Sequence, residues 1–218
     1  NHDYGQKISS HQNLPPDDVV DFMVNDFESR SETDEPVWAP GIDLDGAKDQ
    51  LAEIGRVFSV DIAQYVQPVA VQKEVRIGIE NEPWTLLGYV DLVAKSWKDE
   101  NHLIGVDNKT TGKSGGWKPT DVAASYQPVA YDLGLREEGM DIKGFEFHVA
   151  QYRSGGRWLK QKKCQVLPAP LDPNMRRGFM KYTKLMKKRH DSVLEAGLAE
   201  PNYGWQCSGC GFRDHCAK

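Results

Sequence analysis

The sequence predicts an α/β protein in which helices flank a central mixed sheet. Apolar residues recur at every third or fourth position over residues 43–65, which indicates a long amphipathic helix. From Val69 onward, β-branched residues alternate with polar ones, which is typical of strands. Further strand-like and helical segments then follow one another to about residue 196. This order of elements favours a sheet covered by helices.

Composition excludes two classes of protein. The 218 residues are 39% hydrophobic and include six Trp, eight Tyr and seven Phe, which is enough for a buried core and excludes a disordered chain. No apolar run approaches the roughly 20 residues that span a bilayer, so we expect no membrane association. The formal net charge is −5, yet residues 109–218 hold nineteen Lys and Arg against eleven Asp and Glu. A basic second half can bind a polyanion, although solvated faces of opposite charge remain an alternative.

Two helices are predicted before the sheet. The first runs from about Asp17 to Arg30 behind a proline pair, and the second from Asp43 to Tyr65. Three strands follow as a meander, over 69–79, 84–97 and 102–109, with a charged turn at 98–101.

The rest of the chain alternates between helices and strands. A loop over 110–119 precedes a helix that begins near Thr120 and ends near Gly134. A hairpin over 143–152 and 158–166 and a helix from Pro173 to about Ala196 complete the prediction. We divide the chain into an N-terminal helical region (1–66), a core (67–200) and a cysteine-rich tail (201–218).

Two aspartates on neighbouring strands carry the strongest chemical signal. Asp91 lies inside an apolar strand, and Asp107 lies on the next strand, two residues before Lys109 and on the same strand face. A buried carboxylate is costly unless it is paired or binds a cation, and paired carboxylates suit Mg²⁺ or Mn²⁺. The lysine could hold an attacking water or the reacting phosphate, which is the equipment for metal-assisted phosphodiester hydrolysis. An Asp91–Lys109 ion pair with an exposed Asp107 is the structural alternative.

The ordered motifs resemble the PD-(D/E)xK nucleases. Gly88-x-x-Asp91 stands on one strand, Asp107-x-Lys109-Thr on the next, and Gln127-x-x-x-Tyr131 on the following helix. More narrowly, the set is similar to the RecB nuclease domain and the CRISPR-associated iron–sulfur exonucleases. The resemblance implies a restriction-endonuclease-like core.

The resemblance also implies roles for the motif residues. Asp91 and Asp107 would ligate catalytic Mg²⁺ or Mn²⁺ together with the backbone carbonyl of Asn108, and Lys109 would activate the attacking water. Gln127 and Tyr131 would face the site and the DNA backbone from one helix face, although a packed Tyr and an exposed Gln are the alternative. Glu74, on the preceding strand near Gln72, is a weaker candidate because its register differs from the family's.

The family's metal-ligating histidine is not found in its usual setting. That setting is a Gly-x-x-x-His before the first strand, which we expect upstream of Asn1. His2 and His11 stand in other contexts and are interpreted as surface residues.

The tail contains a second metal-binding signal. Cys207, Cys210 and Cys216 form a C-x2-C-x5-C pattern that can wrap one metal centre. The resemblance implies a [4Fe–4S] cluster that acts as a structural staple, with a fourth cysteine near the natural N-terminus. A zinc site that also uses His215 or Cys164 is the alternative, and Cys164 itself is interpreted as a buried structural thiol.

Basic residues predict a DNA-binding surface, with a solvated face as the alternative. Trp117, in the glycine-rich loop, could stack on a base. The proposed phosphate contacts lie in that loop and on the last helix: Lys113, Lys118, Arg177, Lys181, Lys184 and Lys188.

Together these features predict a DNA exonuclease that acts on ends or single strands in replication, recombination, repair or phage DNA processing. A helicase or recombinase partner and a cytoplasmic location in a bacterial or phage-infected cell follow from the resemblance. A non-catalytic DNA-binding or assembly module with the same fold is the alternative.

Overall fold

The computed structural model describes residues 14–34, 43–63, 66–96, 99, 101–113, 115–154 and 157–197, with only the backbone at 33–34 and 152–163. Five helices and five strands are found in these ranges. They are α1 (Pro16–Asp34), α2 (Leu44–Asp61), β1 (Gln67–Gly78), β2 (Thr85–Lys95), β3 (Leu103–Thr111), α3 (Pro119–Ala123), α4 (Gln127–Glu137), β4 (Ile142–Ser154), β5 (Arg157–Ala169) and α5 (Pro173–Glu195). No described helix has the length and apolar character that a membrane span requires.

The five strands form one mixed sheet in the order β1-β2-β3-β4-β5. Neighbouring strands are antiparallel except β3 and β4, which are parallel. A parallel pair needs a long crossover connection, and α3 and α4 provide it between β3 and β4. The predicted α/β architecture with a central mixed sheet is therefore confirmed.

Helices cover the sheet on both faces. On one face, α4 packs close to the strands because Gly134 has no side chain, and a Cβ there would lie 2.7 Å from the Cβ of Val75. The core beneath it includes Leu135, Phe145 and Phe147, each at most 1% exposed. On the other face, α1 packs on α2, and α2 contacts β4 and β5.

The last helix is tied to α4 through a buried carboxylate. Asp132 of α4 is fully buried and accepts a hydrogen bond from Arg136 at 3.0 Å. Arg176 of α5 lies 2.5 Å from its other oxygen. Because the two oxygens of the Asp132 carboxylate are contacted by arginines from two different helices, α5 has a fixed position against α4.

Several sequence-predicted boundaries were wrong, among them the end of the first helix, which lies at Asp34 and not near Arg30. The helix predicted over 120–134 is two helices, α3 and α4, since Pro128 has no N–H to bond the carbonyl of Ala124 and therefore fits only the first turn of a new helix. Gly134, the predicted helix end, lies inside α4, which continues to Glu137. The helix predicted to end at Tyr65 ends at Asp61. The cysteine-rich tail lies outside the described residues.

Candidate active site

Strands β2 and β3 separate at the two predicted aspartates. They pair over only four residue pairs, from Leu92 with Val106 to Lys95 with Leu103. Beyond this ladder, residues 85–91 of β2 lie beside β1, and residues 107–111 of β3 lie beside β4. Asp91 and Asp107 are therefore the first residues after the strands diverge. We call this place the fork.

The fork leaves backbone groups without a neighbouring strand, and Asp91 binds one of them. Its Oδ2 accepts the N–H of Asn108 at 2.8 Å. Its Oδ1 lies 3.4 Å from Nε2 of Gln72, which has a left-handed backbone conformation with φ of 49°. The Asp91 side chain is thus oriented from both neighbouring strands.

Asp107 and Lys109 form a contact on the α4 face of the sheet. Residues two apart on a strand share a face, and Nζ of Lys109 lies 2.5 Å from Oδ2 of Asp107. Asp107 is only 2% exposed. Its burial raises the pKa of the carboxyl group, and the nearby charge of Asp91 acts in the same direction, whereas Lys109 lowers it. The alternative of an Asp91–Lys109 pair with an exposed Asp107 is therefore wrong.

Helix α4 brings Gln127 and Tyr131 to the same place. Nε2 of Gln127 lies 3.4 Å from Oδ1 of Asp107 and 3.5 Å from the Tyr131 hydroxyl, at the outer limit of hydrogen bonding. Burial raises the pKa of Tyr131, so its phenol is protonated at neutral pH. A Cβ at Gly88 would lie 3.3 Å from the Tyr131 ring, which explains why the Gly-x-x-Asp motif begins with glycine.

One comparison with known proteins bears on this arrangement. The sequence profile of the PD-(D/E)XK nuclease superfamily matches residues 6–217. The chain belongs to the PD-(D/E)XK nuclease superfamily. No curated protein matches the sequence.

Superfamily membership implies a nuclease, with DNA as the substrate it would cut and Mg²⁺ or Mn²⁺ as the usual metals. Among the described residues, no group of three or more His, Cys, Asp or Glu side chains could hold a metal ion. Of the described residues, the carboxylates that meet at the fork are Asp91 and Asp107. Mg²⁺ keeps several waters and binds through one or two carboxylates. Asp107 fits such an ion because its Oδ2 is buried and, among the described residues, contacts only Lys109.

Two other predicted residues have structural contacts. The Trp117 ring packs on Phe147 with 5.4 Å between ring centroids, and the Trp117 backbone N–H donates to Gln165 at 2.9 Å. This packing favours a structural role over base stacking. Glu74 is exposed and pairs with Arg76 at 2.9 Å, away from the Asp107 carboxylate.

The predicted phosphate contacts lie in two places. Lys113 and Lys118 lie before α3, and both contact Asp121 of that helix. The side chain of Lys113 forms an ion pair with Asp121 at 3.6 Å, and the backbone N–H of Lys118 donates to the Asp121 carboxylate at 2.7 Å. On α5, Phe179 and Thr183 mark the buried side, and the basic residues lie elsewhere on the helix. Of these, Arg177, Lys181 and Lys188 are exposed and Lys184 is half-buried. Their contact with DNA stays a prediction.

Sequence reasoning missed a cleft that opens beside the fork. It has a volume of about 310 Å³ and lies between the sheet and helices α1 and α2. Asp91 and Lys109 line it, together with His148 of β4, the register partner of Asn108. His148 is 3% exposed, and its Nδ1 is buried with no hydrogen-bond partner in the part of the chain that the structure describes. A lone histidine in an alternating strand gives no sequence signal of such a place.

Proposed function

We propose that the protein is a divalent-metal-dependent DNA exonuclease of the RecB type. The arrangement at the fork carries this proposal, because Asp91, Asp107 and Lys109 meet where strand pairing ends. A hydrolytic site needs its ligands, its water-orienting group and its substrate on an accessible side of the sheet. The diverging strands leave such an opening between residues 85–91 and 107–111.

Each residue at the fork has a defined part in the proposed reaction. Asp91 and Asp107 would hold Mg²⁺ or Mn²⁺ with the carbonyl of Asn108, and the ion would polarise the phosphate and acidify a water. Lys109, held by Asp107, orients the attacking water and stabilises negative charge on the phosphate. Gln127 and Tyr131 provide neutral donors beside Asp107, which suits contacts to a phosphate oxygen of the DNA backbone.

The tail and the partners belong to the same proposal. Cys207, Cys210 and Cys216 would hold a [4Fe–4S] cluster, with zinc as the alternative. This metal centre would have a structural role and would take no part in hydrolysis of the phosphate. The basic residues of α5 and of the segment before α3 would contact DNA phosphates. A helicase or recombinase that presents DNA ends, in repair, recombination or phage DNA processing, is the expected partner.

A non-catalytic DNA-binding module is the second candidate. The specific observation in its favour is the ligand set, since the described residues supply only two carboxylates and no histidine ligand at the fork. A metal held this weakly would leave a DNA-binding surface without cleavage.

A cleavage assay separates the two functions. Linear and covalently closed circular DNA are incubated with the protein and with Mg²⁺, Mn²⁺ or EDTA. An exonuclease shortens only linear DNA and only with metal. Asp107→Ala should stop this, and Asp191→Asn, at an exposed carboxylate paired with Lys187, is the matched control. DNA binding with no cleavage in either metal would leave the second function.

A further inference from the structure

We propose that the cleft beside the fork is a pocket for the nucleobase of a terminal nucleotide. This inference rests on the proposed function and extends it, because it states how the enzyme would recognise a DNA end. The occupant is one unstacked base, next to the phosphate that is hydrolysed.

The position of the cleft argues for a part of the substrate. Asp91, Asn108 and Lys109 are among its lining residues, so an occupant of the cleft can lie beside the phosphate that is hydrolysed at the fork. A nucleotide whose phosphate lies at the fork has its base within one sugar unit. Asp91 and Lys109 line this cleft. The neighbouring cavity, of about 210 Å³, is lined by neither residue.

The size and lining of the cleft fit one base. A volume of about 310 Å³ is at the lower end of small-molecule pockets, which span about 300–1,000 Å³. This is room for one ring system and for no duplex. Helices α1 and α2 contribute apolar walls, among them Met23, Ile54 and Phe58. Aromatic and aliphatic side chains are the surroundings in which enzymes hold flipped-out bases.

His148 gives the cleft one hydrogen-bonding group. Its Nε2 lies 3.2 Å from the Glu146 carboxylate. Because an ionised carboxylate can only accept, it takes the Nε2 hydrogen of a neutral ring, in which Nδ1 is then the acceptor. Nδ1 is buried and has no hydrogen-bond partner among the residues that the structure describes. An unpaired buried acceptor is costly, and an exocyclic amino or ring N–H group of a base would satisfy it.

A terminal base enters such a pocket more easily than an internal one. A base at an end has only one stacked neighbour and frays, whereas an internal base must be unstacked and unpaired at a cost of a few kcal/mol. The pocket would therefore select ends without a contact to a terminal phosphate. This is a physical route from the cleft to exonuclease action.

The test measures binding of end-modified DNA by the full-length protein, with Ca²⁺ in place of Mg²⁺ so that hydrolysis does not interfere. The oligonucleotides are identical except for one abasic nucleotide, placed at the 5′ end, at the 3′ end or internally. We expect the abasic residue at one of the two ends to weaken binding by about fivefold or more, as loss of a stacked base does. An internal abasic residue should leave binding unchanged.

Two variants connect the effect to the cleft. Ile54→Trp fills it from α2 and should reduce binding of the normal oligonucleotide to the abasic level. His148→Phe removes the acceptor and should weaken binding of end bases that carry N–H donors. Leu194→Trp adds the same ring near the end of α5 at an exposed position outside the cleft, and it serves as the control. A terminal 2-aminopurine should change fluorescence with the wild type and with Leu194→Trp, and lose that change with Ile54→Trp.

Equal binding of normal and abasic ends by the wild type would overturn the pocket, and so would a folded Ile54→Trp protein that binds like the wild type. If Ile54→Trp does not fold, the comparison of abasic ends on the wild type decides alone. The two proposals fail separately. Cleavage that is insensitive to the terminal base removes the pocket, and end-base-dependent binding without cleavage in any metal removes the nuclease function.

Discussion

The Asp91 carboxylate accepts the backbone N–H of Asn108 at 2.8 Å, across the point where β2 and β3 diverge. This contact replaces the next hydrogen bond of the strand ladder. Oδ2 of Asp91 therefore stabilises the fold. Oδ1 lies 3.4 Å from Nε2 of Gln72 and is available to a cation.

Asp91→Asn and Asp91→Ala should separate these two tasks. The amide oxygen of Asn can still accept the Asn108 N–H, so Asp91→Asn should keep wild-type stability and lose metal binding and cleavage. Asp91→Ala leaves that N–H without a partner and should also lower the free energy of unfolding by about 1 kcal/mol. Urea denaturation and calorimetric titration with Mn²⁺ measure both. Equal stability of the two variants would contradict the structural task.

Asp107→Asn should abolish cleavage and stabilise the metal-free protein at neutral pH. Burial holds the pKa of Asp107 above the unfolded value of about 3.9. The stability linked to its protonated form is fully present below the unfolded pKa and is lost as pH rises through the folded pKa. The Asn side chain is neutral at every pH. The variant should therefore become more stable than the wild type as pH rises through the folded pKa of Asp107, and it should remain more stable above that pH. A gain of about 1 kcal/mol corresponds to a rise in Tm of roughly 2–4 °C.

Thermal melts in EDTA at pH values between about 4 and 8 test this prediction, because this range begins near the pKa of an unfolded Asp and extends above it. Asp191→Asn is the control for an exposed carboxylate, whose pKa is lowered by Lys187. An Asp107→Asn protein that is less stable than the wild type at neutral pH would show that the Lys109 contact outweighs the burial cost.

Lys109→Ala should reduce cleavage by about 10²–10³-fold, the usual effect of removing one group that stabilises charge in the transition state. DNA binding in Ca²⁺ should change little, since one lysine among many basic residues is lost. Single-turnover rates and fluorescence anisotropy separate the two quantities. Lys143→Ala removes an exposed lysine that pairs with Asp141 and is the matched control. A parallel loss of binding would assign Lys109 to DNA affinity instead.

Gly88 and Tyr131 should be coupled in a double-mutant cycle. A methyl group at Gly88 would meet the Tyr131 ring at 3.3 Å and move it away from Gln127. Gly88→Ala should therefore lower the cleavage rate severalfold in the wild type and have no further effect in a Tyr131→Ala background. Gly144→Ala, where the new methyl has ordinary contact at 3.6 Å, should be silent in both. Additive losses would mean that Gly88 acts through another neighbour.

The visible absorption spectrum of the purified protein should identify the metal bound by the cysteine-rich tail. Anaerobically purified protein is expected to absorb broadly near 400 nm (roughly, as Cys-ligated iron–sulfur centres do), and Cys207→Ser should lose the colour and part of the stability. Cys164→Ser should retain both, because burial raises the pKa of the Cys164 thiol to about 12 and leaves it protonated. A colourless protein with stoichiometric zinc would favour the zinc alternative.

Strand periodicity made part of the site predictable. Asp107 and Lys109 are two apart on one strand, and the short turn before β3 places Asp91 on its antiparallel neighbour. These relations depend on local spacing alone. Pro128 was equally visible in the sequence, but the helical spacing of Val122, Tyr126 and Val129 masked the break that it causes.

Other features depend on register and on crossover geometry, which alternation does not encode. The β2–β3 ladder ends after four pairs, although both strands continue with residues of strand type. His148 comes to lie beside Asn108 only because the α3–α4 crossover makes β3 and β4 parallel. No pattern in residues 142–154 indicates that partner.

The turn between β1 and β2 lies at the start of β2, and Asp91 lies further along the same strand. An insertion in this turn should therefore leave the carboxylates of the site undisturbed. Asp91 lies six positions after Thr85 in β2, which is about 20 Å at roughly 3.3 Å per residue. The ladder from Leu92 to Lys95 anchors the other end of the strand. A fluorophore or affinity tag inserted between Glu80 and Trp84 would therefore report on DNA arriving at the open side of the sheet while leaving the carboxylates in register.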